Sequence, residues 1–285
     1  MKESLELRVN IEFADLVFPK DIGKNVGSVI VRNYTFLPND IIMAKIKRVT
    51  EELIKKQNRS FFSSWQYYRT YSNQEYKKAE LFQLMITAFF EPEATYCGSI
   101  YDYSNVCVHC GVGRQLIGDL VLDLSKVPKN KDFAQTIARD EWIVSEKLMK
   151  LMQDNDIKGV AFNKVSSKNK LRKSVLNWYQ LKITSPVVET MFPTRYGINP
   201  VDDDSQGLYR CPLGHIEGLN LLSELSIKRD TFNHLYDIAV TRQHVGRHAN
   251  AIMPHPLIVI SPRLRELLVS NDIKGFKTEI AYFKE

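Results

Sequence analysis

Cysteine is scarce in this chain, with four among 285 residues: Cys97, Cys107, Cys110 and Cys211. Two disulfides are arithmetically available, but the opening segment MKESLELRVNIEFADLVF scatters charges among its apolar residues. It therefore lacks the unbroken apolar core of a secretion signal. A chain of this size without such a signal is expected in the cytoplasm, with its thiols free or bound to metal. Long apolar runs are missing too. Nothing approaches the roughly 18 residues of a membrane span, so no membrane partner is expected. No arginine-lysine run reads as a tail, and the net charge of +6 permits an acidic partner without requiring one. Catalytic signatures are absent: there is no serine-centred G-x-S-x-G, Walker or kinase motif. Gly111-Val112-Gly113 is too short for a dinucleotide fingerprint. The chain reads as a non-enzyme.

What is present is an ordinary globular composition, 44% apolar and 25% charged, and enough length for one large domain or two. Residues 1–37 alternate as short strands, most clearly in LELRVNIEF and GSVIVRNYTF. Pro38-Asn39-Asp40 then opens a helix in which Asp40 is the expected cap and Ile42, Ile46, Val49 and Leu53 share a face. An aromatic stretch, FFSSWQYYRTY, is followed by an expected strand, AELFQLMITAFFEP, ending at Pro92. DLVLDL and LNWYQLKIT are further expected strands, and SSKNKLRK at 166–173 reads as a linker or exposed turn.

Comparing the two halves reveals a repeat. IVSEKLMKLMQDNDIKG at 143–159 matches VISPRLRELLVSNDIKG at 259–275, with a constant offset of 116 and eight of seventeen positions identical. Both read as strand, helix capped by Ser145 or Ser261, tight turn and strand, and Pro262 stands where a first helical turn tolerates it best. Capping chemistry alone does not fix Ile, Lys and both leucines, so duplication is the expectation. Leu148 and Leu151 should be buried as Leu264 and Leu267 are.

The repeat locates the two ligands missing from CVHCGVG, where Cys107 and Cys110 have metal-ligand spacing. Ahead of the second copy stands YRCPLGHIEG, with Cys211 and His215. Both pairs lie in glycine-rich turns, which let backbone N–H groups point at thiolates. Together they form a Cys3His set, the complement of one structural zinc with no position left for a catalytic water. Cys97 has no partner at ligand spacing and reads as a small buried residue, while His109 should point outward.

The pattern CxxCG, a tryptophan before I/V-V-S-x-x-L, a closing N-D-I-K-G and a later C-P-x-G-H ahead of V-I-S-x-x-L resembles the bacterial double-CXXCG motif family. The resemblance spans about residues 80–285. It rests on Cys107, Cys110, Gly111, Trp142, Ser145, Cys211, His215 and Ser261. His215 stands where the family name calls for a cysteine, and zinc accepts imidazole as readily as thiolate. Several members look like immunity proteins encoded beside toxins used between competing bacteria. The resemblance thus implies a protein that binds and neutralises a partner toxin.

Three rival features need weighing. His244 and His248 lie four apart in TRQHVGRHAN, a spacing that puts both on one helical face as in metallohydrolases. However, Val245 stands where a glutamate belongs, and Gly246 weakens a helix. An exposed polar turn is the better reading, and Arg242, His244, Arg247 and His248 are the candidate partner contacts. Asp202-Asp203-Asp204 reads as a solvated loop. Lys45, Lys47, Arg48, Lys55, Lys56 and Arg59 run into Phe61, Phe62, Trp65, Tyr67, Tyr68 and Tyr71, a mixture suited to single-stranded nucleic acid. A zinc-ribbon nucleic-acid binder is accordingly the alternative. The expected architecture is α+β: an N-terminal α/β region over 1–92 and a duplicated zinc-knuckle/strand-helix-strand module over 93–285. Its halves fall at about 97–165 and 209–283.

Overall fold

The structure, a computed structural model, describes residues 1–26, 31–168, 177–213, 215, 219–246 and 252–285. The protein is mostly strand, arranged in several sheets, with five α-helices among the described residues. It forms two compact units: Met1–Lys78 with Gly197–Ser205, and Ala79–Tyr196 with Gln206–Glu285.

The first unit contains β1 (Lys2–Asn10), α1 (Ile11–Ala14), β2 (Lys24–Val26), β3 (Val31–Phe36), α2 (Asp40–Gln57), β4 (Phe62–Thr70) and α3 (Asn73–Lys78). Its sheet runs β2-β3-β1-β4 and is antiparallel throughout. Strand periodicity sends Leu5, Leu7 and Val9 of β1 to one face, where all three are buried. Ile46 and Leu53 of α2 join that core, with Ile42 and Val49 packed beside them. The cap of α2 is one residue earlier than expected. Asn39, not Asp40, accepts the Ile42 amide at 3.0 Å, because its extended backbone leaves the side chain facing the first turn. Asp204 is buried, and Asp202–Asp203 form a strand, so the acidic run is not the solvated loop that its composition suggests.

The second unit begins with β5 (Leu81–Ile86), β6 (Phe89–Phe90), β7 (Ile100–Asp102), β8 (Gln115–Ile117), β9 (Val121–Leu122), β10 (Phe133–Thr136) and β11 (Trp142–Ser145). It continues through α4 (Glu146–Asp154), β12 (Val160–Lys164), β13 (Ser166–Ser167) and β14 (Trp178–Ile183). Next in the chain are β15 (Tyr196–Asn199) and β16 (Asp202–Asp203), which apart from Tyr196 lie in the Gly197–Ser205 segment of the first unit, and then β17 (Asn220–Leu221) of the second. Last are β18 (Leu225–Lys228), β19 (Ile238–Val245), β20 (His255–Ile260), α5 (Pro262–Ser270) and β21 (Phe276–Lys284). Two five-stranded sheets dominate, ordered β12-β14-β11-β10-β6 and β18-β21-β5-β20-β19. The strand expected in AELFQLMITAFFEP is split. Its first part, β5, lies between β20 and β21, and its second, β6, pairs with β10. DLVLDL keeps only β9, which runs parallel to β13. Residues 169–173 of SSKNKLRK lie outside the described residues.

The two repeat helices form as their capping residues require. Ser145 Oγ accepts the Leu148 amide at 3.2 Å, and Ser261 Oγ accepts the Leu264 amide at 3.1 Å. Each cap contributes about 1 kcal/mol. The buried pairs are Leu148 with Met152 and Leu264 with Leu268, four residues apart. Leu151 and Leu267, expected inside, are only half-buried, because each lies at the edge of the helix face that Leu148, Met149 and Met152, or Leu264 and Leu268, turn to the core.

Candidate metal centre

The two ligand pairs sit in loops, and each loop is shaped by its own backbone bonds. In the first, the Cys107 amide donates to Val112 O and the Gly111 amide to Cys107 O, both at 2.8 Å. Gly111 and Gly113 have φ of +78° and +111°. A Cβ on Gly113 would lie 2.9 Å from Asn105 O, so this turn needs glycine there. In the second loop the Cys211 amide donates to His215 O at 2.8 Å, and the Leu213 amide points at Cys211 Sγ at 3.3 Å. These turns fold the four side chains inward.

The loops meet across more than a hundred residues of sequence. Cys107 Sγ lies 3.9 Å from Cys211 Sγ, and His215 Nδ1 lies 3.3 Å from both Cys110 Sγ and Cys211 Sγ. All four donor atoms fall within 4.8 Å of one another. A tetrahedral zinc with bonds of about 2.3 Å to sulfur and about 2.0 Å to nitrogen sets donor separations of roughly 3.5–3.8 Å. The 3.9, 3.3 and 3.3 Å separations lie within a few tenths of an ångström of those values. The three sulfurs are buried and Val112 packs against them. The cluster can hold one metal ion such as zinc, with every tetrahedral position filled by protein.

The electrostatics suit a cation. Burial opposes ionisation of Cys107, but the His109 and Cys110 amides, the Cys110 thiol and the His215 ring bring it down to about 6. Cys110 is pushed up to about 12 by burial and by the neighbouring Cys107 and Cys211 sulfurs. A divalent ion relieves this conflict by displacing protons from the crowded thiols, so its affinity falls as pH falls.

Beside the first loop lies a buried ionic network that sequence reasoning missed. Arg114 donates to Asp140 at 2.5 and 2.7 Å and to Glu141 at 3.1 Å, with its guanidinium 4.1 Å from the Tyr101 ring centre. Glu141 also accepts from the Tyr101 hydroxyl at 2.6 Å, Thr136 Oγ1 at 2.5 Å and the Ala94 amide at 2.9 Å. Burial raises the Glu141 carboxyl against these donors. The network ties the β7–β8 ribbon to the β10–β11 hairpin. No fixed spacing joins residues 101, 114, 136 and 140–141, so nothing in the sequence flags it.

The other candidate residues are distributed differently. His244 is on β19, half-buried, and not in the exposed polar turn expected of it, since this segment pairs with β20 in a register that aligns His244 with Pro256 and Val245 with His255. The β19–β20 register shifts between Val240 and His244, so Arg242 lies in an irregular part of the ladder. Arg242 is exposed and paired with Glu189 at 3.2 Å. His244 Nδ1 faces Arg242 O at 3.1 Å, and burial lowers its pKa. Arg247 and His248 lie outside the described residues. Among the basic-aromatic residues, Phe61 and Phe62 are core, and Trp65 and Tyr67 pack against it. Lys45 donates to Val17 O at 2.9 Å, and Arg59 pairs with Glu12 above the Phe13 ring. Cys97 is buried, as expected of a spare thiol. No helix among the described residues is long and apolar enough to cross a membrane. No family model matches the chain, and no curated protein matches it.

Proposed function

We propose that this chain is a bacterial immunity-type protein, stapled by one structural zinc, that binds and neutralises a cognate toxin in the cytoplasm. The observation that carries the reading is the closed Cys3His cluster. With four protein donors, a bound ion has no vacant position for a substrate or an activated water, so its role is to hold loops together. That fits the resemblance of residues 80–285 to the double-CXXCG motif family, in which immunity-like members act by covering another protein. On this reading the second unit is an internally duplicated zinc-knuckle/strand-helix-strand module, and Arg242 and His244, with Arg247 and His248, are the first surface to test. An interface of ordinary size buries about 1,600 Å², with a few arginine and aromatic anchors carrying much of the affinity.

The nucleic-acid alternative draws on the basic residues near α2, but several of its aromatics are spent on the first unit's core. The deciding experiment expresses the neighbouring toxin gene in a sensitive cell, with and without this protein. Rescue together with a tight one-to-one complex is the expected result. Absence of rescue, with salt-sensitive binding to single-stranded nucleic acid instead, overturns it in favour of the alternative.

A further inference from the structure

We infer that the second unit is a tethered pseudo-dimer whose two repeats exchange a central strand, each completing its sheet with the strand that precedes the other repeat. This rests on the duplication proposed above and goes beyond it, because a duplicated chain need not exchange anything.

The sheets supply the first observation. In one, β14 lies antiparallel between β11 and β12. In the other, β5 lies antiparallel between β20 and β21. The strands around them correspond one to one: β10, β11, α4 and β12 in the first repeat, and β19, β20, α5 and β21 in the second. Yet β5 precedes the first repeat in the chain and serves the second, while β14 precedes the second and serves the first.

The exchanged strands are themselves alike. Residues 81–87, LFQLMIT, align with 178–184, WYQLKIT, sharing Gln, Leu, Ile and Thr with an aromatic at the second position. Gln83 and Gln180, at equivalent places, both leave a buried side-chain oxygen without a hydrogen-bond partner. Each strand leaves its sheet through the same bond, Thr87 N to Gly275 O and Thr184 N to Gly159 O, both 2.8 Å. After each comes a ligand pair, Cys107 and Cys110 or Cys211 and His215, and then the two-stranded hairpin of its repeat.

A reciprocal pair of carboxylate latches locks the exchange. Asp132 accepts Ser145 Oγ of its own repeat at 2.8 Å and the Lys274 amide of the other at 2.9 Å. Asp237 accepts Ser261 Oγ of its own repeat at 2.9 Å and the Lys158 amide of the other at 3.0 Å. The backbone answers in kind, Asp132 N to Lys274 O at 2.9 Å and Asp237 N to Lys158 O at 3.0 Å. Each Asn-Asp-Ile-Lys-Gly turn is thus a docking plug for the opposite repeat. Only the Lys backbone and the following Gly of each turn make that contact, while the Asn side chain bonds its own helix, to Leu151 O or Leu267 O at 2.9 Å. The Cys3His cluster then draws two ligands from each repeat, as a metal site bridging a dimer does.

The test follows hydrogen exchange by mass spectrometry on the full-length protein. Leu84→Ala, in β5, should speed exchange at least tenfold in 258–260 and 276–281 of the second repeat, relative to 143–145 and 160–164 of the first. Leu181→Ala, in β14, should do the reverse. Effects confined to the repeat that each strand precedes overturn the exchange. A second full-length variant carries WYQLKIT at 81–87 and LFQLMIT at 178–184, and should stay folded with its metal content unchanged. Crossed exchange effects combined with collapse of this variant mean that the two strands are not equivalent. That result overturns the pseudo-dimer and the duplication beneath it, while leaving the immunity reading to its own experiment.

Discussion

Replacing Gly275 by alanine places a methyl group against backbone that has nowhere to go. Gly275 has φ of +95°, and a Cβ there would lie 2.2 Å from Phe133 O, with Phe133 C and N at 3.2 and 3.3 Å. The first contact is more than an ångström inside ordinary van der Waals separation. The positive φ alone costs an alanine about 1–2 kcal/mol. Relief of the clash also requires Phe133 to move, which weakens its amide bond to Lys274 O at 3.0 Å and the adjoining Lys274 amide bond to Asp132 at 2.9 Å. At about 1–1.5 kcal/mol each, these bring the total to about 3–5 kcal/mol. Gly98 is the internal control, since its φ is +109° but nothing lies within 4 Å of its Cβ position. Gly98→Ala should therefore show the strain alone, about 1–2 kcal/mol. Urea unfolding, followed by the fluorescence of Trp142 and Trp178, should place the Gly275→Ala midpoint about 1 M below that of Gly98→Ala. Equal midpoints would refute the claim that this turn docks against the opposite repeat through a glycine-only gap.

Elemental analysis of protein purified without added metal should find one zinc per chain. Cys211→Ser should lose it and melt at least about 10 °C lower, as should the wild type in chelator; stoichiometric zinc in the variant would defeat the split site. His255 has its folded pKa lowered from 6.5 to about 4, by burial first and then by Arg139 and His244. The unfolded chain thus takes up a proton that the folded one refuses, so this contribution is present above pH 6.5 and is lost as pH falls towards 4. It amounts to at most about 3 kcal/mol. His255→Gln should flatten the stability profile across that window, and an unchanged slope counts against the burial argument. Glu141→Ala strips the acceptor from Arg114, Tyr101, Thr136 and the Ala94 amide. Calorimetry should show a loss of about 3 kcal/mol, typical of breaking a buried ionic network, and a loss under 1 kcal/mol would contradict it.

Local chemistry wrote some of this protein directly into its sequence. Ser145 and Ser261 cap helices because a serine oxygen three residues ahead of a free amide does so in almost any surroundings, and Leu148 and Leu264 follow from helical spacing. Cys107 and Cys110 advertise a ligand pair because a tight glycine turn must bring them together. The pairing of that turn with Cys211 and His215 was legible through the repeat. Tertiary structure decided the rest. TRQHV carries helical histidine spacing through His248, yet β20 recruits its first residues into a strand, since the ladder along β19 outweighs a weak helix interrupted by Gly246. Leu151 and Leu267 satisfy the apolar pattern but stop half-buried, because the partner surface lies a fraction of a turn away. The Arg114–Glu141 network has no signature, since its members gather from four separate segments. The destinations of β5 and β14 are the clearest case: alternation shows that a segment is a strand but carries no address. The address is set by bonds such as Lys274 N to Asp132, between residues that are neighbours only after the chain has folded.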